Sequence, residues 1–368
     1  MGLSLCTAFP KALRGKANAR PTPDDWRATG HEVSALAAFE LLMRDFMQAR
    51  AIPAGALAVA KRQKLIFARA YTAPGEAMLT KPSSLFRIAS ISKPLTACAI
   101  LHLAQEDRLD LSARVTEILN LNLQATKDPD ARLGDVTVLD LLQHLGGWDR
   151  QGSFDPMFQD LKIAQTLDVT LPISKKHITA YMADHPLQHT PGTTYAYSNY
   201  GYCLLGQIIA QVTEQPYQDY VQQAVLAPLG IHHPRLGRTL PEYRQAVEVK
   251  YHSRRKGTTV HDSSNAMVPS PYGAWNIENM DAHGGWLASA VDLLRFAVSF
   301  HDPEESPILK RSALDTMFAL PKNLKPEEYT PGDAYYGCGW SVRDWGLGRR
   351  NIWHAGSLPG THTLLVKR

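Results

Sequence analysis

The segment Phe86–Thr96 reads FRIASISKPLT and contains Ser-x-x-Lys at Ser90 and Lys93. A loop precedes this motif and an apolar stretch follows it, which predicts a helix with Pro94 in its first turn, where a missing N–H costs nothing. Residues three apart share one helix face, so the Lys93 amine can reach the Ser90 hydroxyl. A serine becomes nucleophilic when a neighbouring base takes its proton, and a lysine serves as that base when its pKa is lowered.

A second segment, TPGTTYAYSN at residues 190–199, places Tyr197 and Asn199 just before another predicted helix. If Tyr197 lies beside Lys93, the cation stabilises the ionised phenol and the two side chains share the role of base. Asn199 then orients Lys93 and hydrogen-bonds a substrate amide. A structural interpretation stays open at this point, with Ser90 as one N-cap, Asn199 or Ser198 as another, a solvated Lys93 and a core Tyr197.

A third segment, WHAGS at residues 353–357, lies on a predicted late strand. Gly356 allows a substrate to approach the backbone closely, and the backbone N–H groups of Ser357 and Ser90 form a candidate oxyanion hole. His354 is a candidate donor near the acyl group. Taken singly, one histidine among 14 is more often structural than catalytic.

Length and composition limit the class of protein. The chain has 368 residues, 44% hydrophobic and 20% charged, which excludes intrinsic disorder and is enough for two lobes with a sizeable core. With 39 basic and 35 acidic residues the net charge is +4, and the densest basic run is only Arg254–Lys256, so no nucleic-acid partner is predicted. Four scattered cysteines indicate neither a zinc site nor a disulfide framework.

No apolar run is long enough to span a bilayer, and the N-terminal stretch is a poor secretory signal, so a cytoplasmic location is predicted. An organelle presequence or an exported form stays an open alternative, because the first acidic residue is Asp24.

Periodicity predicts an amphipathic helix from Val33 to about Arg50, followed by a hairpin of Ala54–Ala60 and Leu65–Tyr71. Helical patterns dominate from Ser90 to about Leu320, and strand-like patterns return at Gly337–Val342, Asn351–His354 and Thr361–Val366. We therefore expect an α+β fold, in which an antiparallel sheet formed from the N- and C-terminal segments is flanked by helices and a mainly helical region is inserted. The predicted divisions are a tail or linker at 1–32, a sheet lobe at 33–89 plus 331–368, and a helical lobe at 90–330.

The three motifs, in this order, resemble those of the penicillin-recognising serine hydrolases: class C β-lactamases, D-alanyl-D-alanine carboxypeptidases, D-aminopeptidases and related esterases. The resemblance covers most of residues 34–368, including Phe86–Thr96, Val136–Gly147, Thr190–Gly206, Val225–Ile231, Gly284–Phe296 and His354–Gly360. It implies a β-lactamase/transpeptidase-like fold, an acyl-enzyme on Ser90, and activation of Ser90 and of the deacylating water by Lys93 and Tyr197. It also implies an oxyanion hole from the N–H groups of Ser90 and Ser357, with Asn199, His354 and Gly356 lining the site and with no metal or other cofactor.

One departure from the family's pattern affects the substrate. The β-lactamases usually carry Lys-Thr-Gly in the third motif, where this chain has His354-Ala355-Gly356, and a histidine is only partly charged near pH 7. The resemblance therefore favours an esterase or a D-aminopeptidase-like hydrolase of small esters or amides over a β-lactamase. β-Lactamase or D,D-carboxypeptidase activity on a β-lactam or peptide, acyl transfer, and an inactive scaffold are the alternatives, and the oligomeric state stays open.

The scaffold alternative comes from the last strand, Thr361–Arg368. Relatives return with another strand and a terminal helix, so the resemblance implies that the sequence stops one strand and one helix early.

Overall fold

We describe the protein from a computed structural model, which covers residues 25–121, 130–346 and 349–368. The first 24 residues of the predicted tail lie outside this range. In the described residues the helices are α1 (Ala37–Arg50), α2 (Ser92–Gln105), α3 (Val115–Ile118), α4 (Val138–Leu142), α5 (Asp160–Leu167), α6 (Lys175–Ala183), α7 (Asn199–Thr213), α8 (Tyr217–Val221), α9 (Asp281–Gly284), α10 (Ala290–Val298) and α11 (Arg311–Met317).

The strands of the described residues are mostly short. They are β1 (Arg27–Gly30), β2 (Ala54–Lys61), β3 (Lys64–Thr72), β4 (Phe86–Arg87), β5 (Arg235–Leu236), β6 (Lys256–Thr258), β7 (Met267–Pro269), β8 (Trp286–Ala288), β9 (Ala334–Tyr336), β10 (Ser341–Asp344), β11 (Arg350–Leu358) and β12 (Thr361–Lys367). The longer strands lie near the two ends of the described chain and pair antiparallel, and most of the helices lie between them. This arrangement confirms the α+β class.

The terminal segments form two sheets, where one shared sheet was expected. The N-terminal sheet has the order β1-β3-β2 and the C-terminal sheet the order β12-β11-β10-β9. Each sheet contains its own hairpin, β2–β3 in the first and β11–β12 in the second. Among the described strands, the edge strands β2 and β12 are not hydrogen-bonded to each other. Helix α10 packs against both edge strands and so connects the two sheets.

The N-terminal sheet also includes part of the predicted tail. Residues 27–30 form β1, which pairs antiparallel with β3 from Arg27 opposite Thr72 to Gly30 opposite Arg69. The Arg69 guanidinium donates to the Gly30 carbonyl at 2.5 Å, which fixes the end of this strand. The predicted hairpin is present, and its turn residues Arg62 and Gln63 have φ values of 49° and 62°, the left-handed conformation that two-residue turns require.

Helix α2 forms the centre of the protein. Its buried residues surround the whole helix, from Ser92 to Leu103, as is typical of a helix packed on every side. Helices α7, α9 and α11 pack against it. Pro94 lies in the first turn of this helix, as predicted, and Ser90 lies in the 3-10 turn Ala89–Ile91 just before it. In the described parts of the chain no helix has the length and hydropathy needed to cross a membrane.

Strand β4 leads directly into the Ser90 turn and is fixed by a buried arginine. The Arg87 guanidinium donates to the carbonyl oxygens of Pro271 at 2.6 Å and Arg238 at 2.8 Å. Its Nε lies 3.7 Å from a carboxylate oxygen of Glu248, and both side chains are almost fully buried. Since these partners come from distant segments, Arg87 fastens the entry to the Ser90 turn to the rest of the fold.

Replacing Arg87 by methionine leaves Glu248 buried without its partner, and we expect a loss of about 3 kcal/mol in the free energy of unfolding, because removal of one member of a buried pair is strongly destabilising. Urea denaturation measures this change. The double variant Arg87→Met/Glu248→Gln should recover part of the loss, whereas Arg311→Met at an exposed surface pair should leave the unfolding midpoint unchanged. A single variant as stable as the wild type would contradict this role for Arg87.

Candidate active site

The backbone around Ser90 forms a sharp turn. Ala89 has a φ of 47°, in the left-handed region that residues other than glycine rarely adopt. The Ile91 N–H donates to the Ile88 carbonyl and the Ile88 N–H to the Trp286 carbonyl, so β8 and the turn hold each other in place. Ser90 itself is half-buried at the start of the helical core.

Lys93 is completely buried one turn after Ser90. Its Nζ lies 3.2 Å from Ser90 Oγ, 2.8 Å from Asn199 Oδ1 and 3.0 Å from the His283 carbonyl oxygen. As an ammonium the group donates to all three oxygens. As a neutral amine it donates to the two carbonyl-type oxygens, which have no proton to give, and directs its lone pair at the Ser90 hydroxyl.

Burial lowers the pKa of Lys93 well below its usual range, because an ammonium without water is costly. The Arg150 guanidinium lowers this pKa further and the Asp155 carboxylate opposes the shift. The surroundings therefore favour the neutral amine, the form that can accept a proton.

Tyr197 lies between several rings and charges. Its ring centroid is 4.7 Å from Lys93 Nζ, 4.6 Å from the Arg150 guanidinium carbon and 4.3 Å from the His144 ring. Burial raises the pKa of Tyr197 above its ordinary value, although a hydrogen bond with Ser90 and the charge of Arg150 act in the opposite direction. The phenol thus stays protonated, which differs from the phenolate expected from the motif alone.

Asn199 lies at the first position of α7 and connects Lys93 to an acidic residue. Its Nδ2 donates to Asp155 Oδ2 at 2.6 Å while its Oδ1 accepts from Lys93. Because the amide nitrogen is held by the carboxylate, the amide oxygen faces Lys93. The predicted orienting role of Asn199 agrees with this geometry, and the adjacent Ser198 is the N-cap.

His354 differs from its predicted role as a partly charged donor. Its Nδ1 lies 2.8 Å from the Ala355 carbonyl oxygen, so Nδ1 carries the proton, and its Nε2 accepts from the Tyr336 hydroxyl at 3.0 Å. Burial and the charge of Lys93 lower the pKa of His354 to about 3. The ring is therefore neutral at pH 7, and both nitrogens are occupied by protein partners.

Strand β11 passes very close to the Ser90 turn at Gly356. A Cβ built on Gly356 would lie 2.2 Å from the Ile88 carbonyl oxygen and 2.3 Å from Thr363 Oγ1. Thr363 Oγ1 donates to that same carbonyl at 2.8 Å. Only glycine permits this close approach of β11 to the Ser90 turn. Ser357 is the next residue of the same strand. The oxyanion hole from the N–H groups of Ser90 and Ser357 stays a prediction.

Several residues at the site were not predicted from the motifs. They are His144, Arg150, Asp155, His283 and Tyr336. The rings of His144 and Tyr336 are tilted by 44° to each other, with 4.5 Å between their centroids. His144 lies beside Tyr197, and Tyr336 lies beside His354. These residues lie outside the three motifs, and no spacing rule connects them to Ser90. Across the described ranges, no three histidine, cysteine, aspartate or glutamate side chains come together in a group that could hold a metal ion.

The sequence profile of the β-lactamase family matches residues 39–367, a range that includes every site residue described above. The chain belongs to the β-lactamase family. It is similar to a probable fimbrial assembly protein FimD of Dichelobacter nodosus, with 29% identity over 288 residues, 76% of this chain and 62% of that protein. Penicillin-binding protein 4* of Bacillus subtilis is 24% identical over 78% of the chain and 58% of its own length. The chain spans about three fifths of the length of these curated relatives.

Solved structures agree with the fold of a β-lactamase-family protein. The octameric penicillin-binding protein homologue from Pyrococcus abyssi aligns with a TM-score of 0.66 and 23% identity, covering 90% of this chain and 70% of that one. The D-amino acid amidase from Ochrobactrum anthropi aligns with a TM-score of 0.63 and 23% identity, covering 89% and 86%. At this level of identity the likeness establishes the fold.

We expect Gly356→Ala to push β11 away from the Ser90 turn, because its Cβ would meet the Ile88 carbonyl oxygen. Displacements of this kind cost about 1–3 kcal/mol in stability and about 100-fold in reactivity at an oriented group. Urea denaturation and the rate of Ser90 labelling by a fluorophosphonate measure the two effects. Ala355→Ser, at the exposed preceding position, is the matched control. Wild-type labelling by the Gly356→Ala variant would contradict the contact.

Proposed function

We propose that this protein is a serine hydrolase that forms an acyl-enzyme on Ser90 and cleaves a small ester or amide. The observation that carries this proposal is the buried Lys93 amine, 3.2 Å from Ser90 Oγ, with its other donors held by Asn199 and the His283 carbonyl. When the two N–H groups of the neutral amine donate to these oxygens, its lone pair points toward the Ser90 hydroxyl. A lysine in this position would otherwise be a costly buried group without a structural ion pair.

In the first step the Ser90 hydroxyl gives its proton to Lys93 Nζ as Oγ attacks the carbonyl carbon of the substrate. The hydroxyl of Tyr197, whose ring centroid lies 4.7 Å from Lys93 Nζ, relays the proton from Lys93 to the departing oxygen or nitrogen. The bond to the leaving group then breaks and the acyl group remains on Ser90. Lys93 is the base and Tyr197 the relay, since burial lowers the pKa of the amine and raises that of the phenol.

In the second step a water molecule takes the place of the Ser90 hydroxyl as the nucleophile. Lys93 takes a proton from the water through the Tyr197 hydroxyl as the water oxygen attacks the acyl carbon, and Lys93 then gives a proton to Ser90 Oγ as the ester bond breaks. The N–H groups of Ser90 and Ser357 are the proposed donors to the negative oxygen in both steps. No metal ion or organic cofactor is needed for this balance of atoms and charges.

The type of substrate follows from the third motif. His354 is neutral and hydrogen-bonded to Tyr336, so strand β11 offers no cation where the family's β-lactamases usually have lysine. This supports an esterase or an amidase of the D-aminopeptidase type, and one structural neighbour is a D-amino acid amidase. The predicted cytoplasmic location belongs to the same proposal.

We expect Ser90→Ala to abolish both turnover and covalent labelling, because no other group supplies the attacking oxygen. Intact-mass spectrometry after incubation with p-nitrophenyl esters, D-amino-acid amides and a β-lactam measures the acyl adduct and ranks the substrates. Ser312→Ala, at an exposed position of α11, is the matched control. Hydrolysis that survives in the Ser90→Ala variant would exclude the proposed nucleophile, and a preference for β-lactams would exclude the esterase or amidase assignment.

The pH profile should report the lowered pKa of Lys93. The neutral amine is the active form, so kcat/KM should be retained at neutral pH and fall as pH decreases through that lowered pKa, whereas an ordinary lysine would lose activity below about pH 10.4. Asp155→Asn removes the charge that raises this pKa and should move the acid limb to lower pH. An acid limb near pH 10, or one that moves upward in Asp155→Asn, would contradict the assignment of Lys93 as base.

A further inference from the structure

Arg150 lies beside Tyr197 at the candidate active site and is partly exposed to solvent. Its guanidinium carbon lies 4.6 Å from the centroid of the Tyr197 ring, and its side chain is 40% exposed. The same ring centroid lies 4.7 Å from Lys93 Nζ, which is itself 3.2 Å from Ser90 Oγ. The cation is therefore separated from the nucleophile by about one phenol side chain and can be reached from solvent.

The hydrogen-bond donors of Arg150 are not used within the described protein. The nearest carboxylate oxygen, Asp155 Oδ2, is 3.6 Å from the guanidinium, which is too long for a hydrogen bond. That oxygen already accepts from Asn199 at 2.6 Å, and the other oxygen of Asp155 accepts from the Met157 N–H at 3.2 Å. Asp155 balances part of the charge of Arg150 and leaves its planar set of N–H groups free.

The loop that carries Arg150 is ordered by its own hydrogen bonds. The Asp149 side chain accepts from the Gln151 N–H at 2.8 Å, and the Asp149 carbonyl accepts from the Ser153 N–H at 3.0 Å. The Asp149 N–H donates to the Gln188 side chain at 2.9 Å. The residues on both sides of Arg150 are thus fixed, and the guanidinium is presented from a defined turn.

The other basic groups at the site are not available to a substrate anion. Lys93 is buried and has three oxygen partners. His144, His283 and His354 are buried, and both nitrogens of His354 have protein partners. A substrate anion at this site would therefore meet Arg150, whose donors match a carboxylate with two parallel hydrogen bonds.

We propose that Arg150 is a specificity-determining residue that binds a carboxylate of the substrate, so that the enzyme selects esters or amides with an anionic group near the scissile bond. This inference rests on the proposed serine hydrolase function and deepens it by naming the substrate class. The guanidinium packs against the Tyr197 ring. The substrate anion accepts the hydrogen bonds of the Arg150 N–H groups that Asp155 does not accept.

The test compares matched substrates in the wild type and in Arg150→Gln. The first pair is p-nitrophenyl benzoate and the p-nitrophenyl monoester of terephthalate, with the carboxylate on the acyl side and too far from the ester to attack it. The second pair is phenyl acetate and 4-acetoxybenzoate, with the carboxylate on the leaving group. In at least one pair, the ratio of kcat/KM for the anionic to the neutral substrate should fall 10-fold or more in Arg150→Gln, mainly through KM, because charge-assisted hydrogen bonds to the anion are lost.

Two further variants separate binding from a general effect of charge. Arg150→Lys keeps the charge without the planar pair of donors and should give an intermediate ratio. Arg343→Gln removes an exposed arginine that lies over another ring, that of Trp353 at 5.7 Å, and should leave the ratio at the wild-type value. A change in the reactivity of Lys93 alone would alter both substrates of a pair equally and leave the ratio unchanged.

A ratio in Arg150→Gln within twofold of the wild-type ratio for both pairs would overturn this proposal. Failure of the underlying function has a different signature, since neither ester of a pair would be hydrolysed and Ser90 would not be labelled by a fluorophosphonate. Thermal unfolding of each variant confirms that the comparison is made between folded proteins.

Discussion

Lys93 loses all contact with water when the protein folds, and its amino group needs oxygen partners in return. Those partners come from three places: the Ser90 turn ahead of α2, the first residue of α7, and the backbone of α9. Helices α7 and α9 pack against α2 and against each other. The position of one buried amine thus depends on the whole helical core, and any shift of these helices would leave the amine without a partner.

The side chains around Lys93 are neutral on one side and charged on the other. On the strand side, His354 and Tyr336 satisfy each other and carry no charge. On the side of the loop after α4, Arg150 and Asp155 carry opposite charges whose effects on Lys93 oppose each other. Burial acts on the amine and on the phenol of Tyr197 in opposite directions, which separates a proton acceptor from a proton donor within one small space.

Local spacing explains which parts of the site could be predicted from the sequence. Ser90 and Lys93 are one helical turn apart, so their contact follows from helix geometry, and Gly356 follows from its motif. Asp155 is 44 residues from Asn199, and no spacing rule brings the two together. The tautomer of His354 depends on a carbonyl and a distant hydroxyl that the motif does not include. The α+β class was predicted from periodicity, but periodicity does not determine which strands pair, and the terminal strands form two sheets.

The hydrogen bond between Thr363 and the Ile88 carbonyl joins residues 275 positions apart, and that from Thr361 to the Arg87 carbonyl spans 274. During synthesis at about 5–20 residues per second, the ribosome needs roughly 15–55 s to travel from one partner to the other. Throughout that interval the nascent chain carries its serine and lysine without the strand that closes against them. The Ser90 turn can therefore meet β11 and β12 only after residue 363 has been synthesised, and no shorter nascent chain can hold Gly356 and Ser357 beside Ser90 through these two hydrogen bonds.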